Sequence, residues 1–338
     1  MDVITSLKQL HKYERPCVVA LGTFDGLHRG HMDVIRTAWN EAHRTGALLA
    51  VFTFSNHPFA CFRPDKVPPA LITPEQKQSL LRDLGVDVLV DVPFDMSVAR
   101  IAPEAFLEQL QALDYSCLVV GNNFTYGIRG EGTVETLAAS AQRLGFKLVV
   151  RELVSDGPTV ISSTAIRRLI AEGDVVEAAA MLGRLYSLSG IVAHGNERGR
   201  LLGFPTANIE LAESKLAIPL GGVYAVQVNV NGQRYGGMAN IGNNPTFGDV
   251  AAPRLETHIF DFSGDIYDSP ISIDFVTRVR GEVKFASIDQ LRSQLQADKE
   301  KCRQLLESFS DRDLLINVNI FTEVSCSCSI SMVYYYSM

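Results

Sequence analysis

The chain has 338 residues, 46% of them hydrophobic, enough for two domains with cores of ordinary size. Its formal net charge of −7 argues against a nucleic-acid binder, which needs a basic face. No stretch of about 18 consecutive apolar residues occurs, so no membrane span is expected. Residues 1–14 are polar and mixed in charge, without the apolar centre of a secretory signal, and a cytoplasmic protein is expected.

Residues 17–21, Cys-Val-Val-Ala-Leu, read as a buried strand. They run into Gly22-Thr23-Phe24-Asp25-Gly26-Leu27-His28-Arg29-Gly30-His31, after which residues 32–45 read as an amphipathic helix stopped by Gly46. Strand, glycine-rich turn and helix present backbone N–H groups and a helix dipole to a phosphate. Two imidazoles at that turn, His28 and His31, can donate hydrogen bonds and offset charge that develops in a transition state.

Further strands are expected at 48–54, 86–92, 117–120 and 147–153, with helices between them. Thr73-Pro74-Glu75-Gln76 opens one helix, which Gly85 ends, and residues 133–144 form another, ended by Gly145. This alternation implies a parallel sheet covered on both faces, with ligands beyond the carboxyl ends of its strands. Residues 22–31 and 121–127 each follow a strand, so both can reach one crevice. Ile161-Ser162-Ser163-Thr164-Ala165-Ile166-Arg167 precedes a helical run at 166–171. Its hydroxyls either cap that helix or grip a phosphate, with Arg167 adding a permanent charge.

From Tyr186 onward the period changes to two. Strands at 223–230 and 233–241 flank Asn231-Gly232, a hairpin signal, and others follow at 255–262 and 271–279. A compact antiparallel barrel is expected, then a helix from Ser287 to about residue 309. Gly199-Arg200-Leu201-Leu202-Gly203-Phe204-Pro205-Thr206-Ala207-Asn208 lies in this half. Gly199 and Gly203 let a loop fold over a ligand, Pro205 fixes its shape, and Thr206 and Asn208 offer hard oxygens of the kind Mg2+ takes. Farther on, Glu256, His258 and Phe260 share one strand face, and Leu255, Thr257 and Ile259 the other. Cysteines stand at 17, 61, 117, 302, 326 and 328, and are expected to be reduced thiols rather than metal ligands or disulfides. The apolar, tyrosine-rich end, 316–338, reads either as an edge strand or as an unpaired tail.

G-T-F-D-G-L-H-R-G-H at 22–31 resembles the HxGH nucleotidyltransferases, and most of all the adenylyltransferase module of bacterial bifunctional riboflavin kinase/FAD synthetases. I-S-S-T-A-I-R at 161–167 and G-N-N-F-T-Y-G at 121–127 resemble two further segments of that module, and G-R-L-L-G-F-P-T-A-N with E-T-H-I-F-D-F resembles the family's kinase motifs. The resemblance implies a Rossmann-like α/β domain over 1–184, a small antiparallel β-barrel with a C-terminal helix over 185–310, and an unassigned tail over 311–338. It implies that the barrel phosphorylates riboflavin to FMN with ATP, and that the first domain adenylylates FMN to FAD, releasing pyrophosphate. By the same resemblance His28, His31 and Arg167 act on phosphates. Gly22, Thr23, Phe24, Asp25, Gly30, Asn123, Ser163, Thr164, Gly199, Gly203 and Pro205 bind nucleotide. Thr206 and Asn208 hold Mg2+, and Glu256 is the general base on the ribityl hydroxyl. Small-molecule partners alone are expected, with no nucleic acid or membrane, and a monomer or weak homo-oligomer. Two other readings remain at this point: a nucleotidyltransferase acting on another phosphorylated substrate, and a non-catalytic flavin-binding regulator.

Overall fold

The computed structural model describes residues 1–194, 203–212, 215–242, 254–309 and 332–334. The chain divides into two compact units. One comprises Met1–Pro68, Pro74–Ser162 and Glu323–Met338, and the other comprises Pro69–Thr73 and Ser163–Thr322.

The first unit runs β1 (Asp2–Ile4), β2 (Cys17–Leu21), α1 (Arg29–Thr45), β3 (Leu48–Phe54), α2 (Phe59–Phe62), α3 (Pro74–Asp83), β4 (Val88–Val92), α4 (Met96–Ala99), α5 (Pro103–Leu110), β5 (Tyr115–Gly121), α6 (Val134–Leu144) and β6 (Lys147–Arg151), followed by a small hairpin, β7 (Ser155–Asp156) and β8 (Thr159–Val160). Six strands form a parallel sheet in the order β1-β4-β3-β2-β5-β6. All five residues of β2 are buried, as a parallel strand covered on both faces requires. From β2 the chain winds outward through β3 and β4, then returns to place β5 on the other side of β2 and continues to β6. The order therefore reverses between β2 and β5, which pair directly through Ala20 and Val119. Ligand crevices of doubly wound sheets open at such a reversal, beyond the carboxyl ends of the strands. The turns after β2 and β5 both stand there.

Helix α1 buries Val34, Ile35, Ala38 and Ala42 and ends at Gly46, whose φ of 70° only glycine adopts at no cost. It begins at Arg29, three residues before the position that hydrophobic periodicity indicates, because His28 caps it. The third strand expected from the sequence begins at Val88 rather than at 86, and the fifth ends at Arg151 rather than at 153. Strand β1 escaped the sequence reading, since three residues are too few to show a period.

The second unit comprises α7 (Ser163–Glu172), α8 (Val175–Leu182), β9 (Tyr186–Ala193), β10 (Ala207–Leu211), β11 (Gly222–Val230), β12 (Gln233–Gly242), β13 (Arg254–Ile259), β14 (Pro270–Arg280) and α9 (Ile288–Ser308). Its six strands close an antiparallel barrel in the order β10-β13-β12-β11-β14-β9. Asn231 and Gly232 both take positive φ, 51° and 73°, as the tight hairpin between β11 and β12 demands. Tyr186, Tyr224 and Phe275 fill the interior and are fully buried. The alternate residues of β11, Val223 and Ala225, join Met238, Phe260 and Cys302 in an outer cluster covered by α9 through Leu295, Leu305 and Leu306. Arg280 of β14 fastens α9 with a two-pronged pair to buried Asp298, at 2.6–3.0 Å. Strand β13 stops at Ile259 rather than at 262. Phe260 donates its N–H to the Gly236 carbonyl at 2.8 Å, and Asp261 turns the chain at φ 53°.

Burial pushes the thiols of Cys17, Cys117 and Cys302 up to about 11, 12 and 12, and these cysteines are free. Cys326 and Cys328 lie outside the described residues. Of the tail, β15 (Met332–Tyr334) adds an antiparallel edge to β6, the edge-strand alternative of the sequence reading.

Candidate active sites

The first site grows from the end of β2. Gly22 donates its N–H to the Phe52 carbonyl of β3 at 3.2 Å, and the Thr53 hydroxyl, fully buried, donates to the Thr23 carbonyl at 2.8 Å. The turn is thus tied to the neighbouring strand on two consecutive residues. Phe24 and Leu27 hold positive φ, 46° and 43°, which non-glycine residues adopt only under constraint. Each is 1% exposed, so burial of a large apolar side chain holds the strained backbone in place. Phe24 lies over Gly22, where a Cβ would meet its ring at 2.9 Å, and sets its ring edge-on to His31 at 5.4 Å. The Phe24 side chain is therefore scaffold for Gly22 and His31, and only its backbone is left to meet a ligand. Thr23 is exposed and Asp25 half-buried in the same turn.

His28 caps α1, its Nδ1 accepting the His31 N–H at 3.3 Å. A neutral ring whose Nδ1 accepts carries its proton on Nε2, so His28 presents a donor from the other side of the ring. The His28 and His31 rings stack at 3.6 Å, 17° from parallel. Gly30 makes room for this stack, since a Cβ there would come within 3.3 Å of the His28 ring. The same position lies 3.9 Å from the Ile161 carbonyl, which brings the start of the Ile-Ser-Ser-Thr segment to the start of α1. One turn into α1, Asp33 receives a two-pronged pair from Arg151 at the carboxyl end of β6, at 2.6 and 3.0 Å. Asn123 is exposed in the turn after β5. Helix dipole, glycine backbone and two stacked imidazoles together suit a polyphosphate.

Ser163, Thr164 and Arg167 open α7, which begins at Ser163 rather than at 166 and belongs to the second unit. Within that unit Arg167 donates from Nε to the Pro69 carbonyl at 2.6 Å, which fixes one edge of its guanidinium.

The second site lies on the barrel's outer surface. Asn208 of β10 stands opposite Glu256 of β13, and Glu256 stands opposite Asn240 of β12. Directly opposed residues share a face, with Cβ atoms about 5 Å apart. Thr206, two residues before Asn208 and next to the strand, falls on the same face if the extended chain is continued. Leu255, Thr257 and Ile259 point the other way and are buried, as the alternation requires. The Glu256 side chain is 31% exposed and pairs with Arg254 at 3.7 Å. Gly203 takes φ 81° at the start of the Gly-Phe-Pro-Thr turn. The Pro205 carbonyl accepts from Nδ1 of His258 at 2.8 Å. Gly199 lies outside the described residues. So do residues 243–247 of Asn240-Ile-Gly-Asn-Asn-Pro-Thr-Phe247, a segment whose sequence resembles a loop of the family's kinase domain. Sequence reasoning left two supports unassigned: Thr53 and His258. Alternation alone places His258 on the Glu256 face, but its bond to Pro205 has no signature in the sequence.

Two family models match the chain, FAD synthetase over residues 10–165 and riboflavin kinase over 182–306. A bifunctional riboflavin kinase/FMN adenylyltransferase of Bacillus subtilis is 41% identical, over 84% of this chain and 90% of its own. One from Haemophilus influenzae is 34% identical, over 91% and 100%. The chain belongs to this family. It is a riboflavin kinase in its C-terminal part and an FMN adenylyltransferase in its N-terminal part, with ATP, riboflavin, FMN and FAD as substrates and products. A transferase of another phosphorylated substrate and a non-catalytic regulator are both set aside. A crystal structure from Streptococcus pneumoniae, described as a macrolide-efflux protein, shares the fold at a TM-score of 0.83 and 34% identity, over 91% of this chain and 99% of its own. No helix among the described residues is long and apolar enough to cross a membrane.

Proposed function

We propose that the two reactions divide between the sites as follows. At the β2–α1 turn, the backbone of Gly22, Thr23, Phe24, Asp25 and Gly30 cradles the ATP phosphates, with Asn123 as a polar contact to the nucleotide. His28 and His31 donate to oxygens on which charge develops as an FMN phosphate oxygen bonds to the α-phosphorus and the bond to pyrophosphate breaks. Ser163, Thr164 and Arg167 act on ATP phosphates. At the barrel, Glu256 accepts the proton of the ribityl hydroxyl as its oxygen bonds to the γ-phosphorus and ADP leaves. Gly199, Gly203 and Pro205 shape the loop over that nucleotide.

Thr206 and Asn208 suit Mg2+, being neutral oxygen donors on the Glu256 face, and among the described residues no cluster of His, Cys, Asp or Glu offers a full protein cage. Bound there, Mg2+ would neutralise phosphate charge. The domains run 1–184 and 185–310, with 311–338 a tail, a division that the spans of the two family matches support. The use of ATP in both steps supports the cytoplasm, and the negative net charge supports small molecules rather than nucleic acid as partners. We take the active form to be a monomer or a weak homo-oligomer.

The row Asn208–Glu256–Asn240 carries the barrel assignment, for it sets a carboxylate beside the amide proposed as metal ligand. Glu256→Ala is expected to lower FMN formation from riboflavin by about 10²–10⁴-fold and to leave FAD formation from supplied FMN intact. His28→Ala with His31→Ala is expected to do the reverse. Chromatography of the flavins reads both, and loss of both activities in either variant with unchanged circular dichroism would refute the division.

A further inference from the structure

The β10–β13 ladder is short. It pairs Ile209 with Leu255, Asn208 with Glu256 and Ala207 with Thr257, then stops. The next position along would set Thr206 opposite His258. There the attachment passes from backbone to side chain: the His258 ring reaches past Thr206 to the Pro205 carbonyl, at 2.8 Å. A carbonyl only accepts, so Nδ1 carries a proton. His258 is 6% exposed, and its ring meets Phe204 edge-on at 5.5 Å and Phe260 at 5.7 Å. Nε2 is buried with no hydrogen-bond partner among the described residues. A second proton there would find no acceptor and would face Lys299 and Arg303 of α9. Burial and these two cations hold the imidazole below its ordinary range, against the opposing pull of the Pro205 bond and Asp261. The ring is therefore neutral, in one tautomer, and wedged between two buried phenyl rings.

We infer that His258 is a positioning residue of the riboflavin kinase site: its Nδ1–H holds the Gly203–Thr206 turn against β13 and so fixes Thr206 and Asn208 relative to Glu256. The inference rests on the roles proposed above for those three residues. His258 is two residues from Glu256 on one strand, and Pro205 is the neighbour of Thr206. One hydrogen bond thus joins the segment proposed to hold the metal to the strand that carries the base. Without it, Thr206 lies beyond the last paired residue of β10 and loses a fixed distance from Glu256. In a phosphoryl transfer that depends on alignment, a displacement of about 1 Å costs on the order of 10²-fold.

The test uses the full chain with His258→Leu, which fills the apolar slot without a donor, and His258→Asn, whose Nδ2–H stands near the Nδ1 position. Riboflavin phosphorylation is measured against ATP and against Mg2+ concentration, with FMN adenylylation on the same preparations as control. His258→Leu is expected to lower kcat/KM for phosphorylation by roughly 10–100-fold and to raise the half-saturating Mg2+ concentration, leaving adenylylation within about twofold. His258→Asn is expected to recover most of the loss. A Leu variant with wild-type rate and Mg2+ dependence, an Asn variant no better than Leu, or a loss shared equally by both activities would each overturn the inference. Glu256→Gln is assayed in parallel. If it still phosphorylates riboflavin, the site assignment itself has failed. If it is inactive while His258→Leu is normal, only the clamp has failed.

Discussion

The turns at the two candidate sites are built in opposite ways. The turn after β2 leaves a strand buried along its whole length, and its strained residues Phe24 and Leu27 are themselves core residues. Its geometry follows from the packing of the sheet. The Gly-Phe-Pro-Thr turn of the barrel enters β10 beside a ladder of three pairs and is held by the side chain of His258. A site set into a core resists loss of any one polar contact but not added volume. A site hung at a barrel rim tolerates volume but depends on single bonds.

Adding volume to the first turn should therefore have the largest effect. Gly22→Ala places a methyl 2.9 Å from two atoms of the Phe24 ring, which cannot retreat because it is 1% exposed. The ring, and the His31 imidazole against its edge, must shift. FMN adenylylation is expected to fall by about 10²-fold, with about 1–3 kcal/mol of stability lost. Riboflavin phosphorylation, assayed on the same preparation, should be unchanged. An unaffected adenylylation would show that the turn is not held by its core.

Removing a bond from that turn should do much less. Thr53→Val deletes the donor to the Thr23 carbonyl and keeps the shape of the side chain. The Gly22 bond to Phe52 and the buried Phe24 remain to hold the turn. A loss of about 1 kcal/mol and a few-fold drop in adenylylation are expected, with Thr53→Ser near wild type. Urea unfolding and FAD formation from FMN measure the two. A drop as large as that of Gly22→Ala would erase the contrast between the turns.

The same contrast explains what was legible in the sequence. Elements built on long periods were plain: the buried runs of β2 and β3, the hairpin at Asn231-Gly232, and the alternation that sets Glu256 and His258 on one face. The turn after β2 was plain because its glycines and histidines are clustered within ten residues. What escaped was set by particular contacts rather than by a repeating pattern. Helix α1 starts at Arg29 because an imidazole caps it, and β13 ends early because Asp261 turns the chain at φ 53°. Phe24 reads as a ligand contact in the motif, yet its ring is scaffold. His258 bonds a residue 53 positions away, and no local pattern marks that.

The smallest expected effect is one of pH, and it isolates the rim clamp from the chemistry. Burial, then Lys299 and Arg303, lower the pKa of His258 below the 6.5 of a free imidazole, against the bond to Pro205 and the charge of Asp261. As pH falls through 6.5 the unfolded chain takes up a proton at this residue before the folded barrel does. The unfolded state then binds more protons, so stability rises with pH across this window and is lost on acidification. Above the window both states hold the ring neutral and the contribution is flat. His258→Asn removes this titration, so the barrel of the variant should lose less stability than the wild type between about pH 6.5 and 5. Urea midpoints read from hydrogen exchange of β11 and β14 amides report the barrel. The single tryptophan, Trp39 on α1, reports the other unit by fluorescence and should show no difference between the two proteins. Equal slopes for both proteins in the barrel would mean that the ring takes up its second proton while folded, and the fixed tautomer that aims Nδ1 at Pro205 would be lost with it.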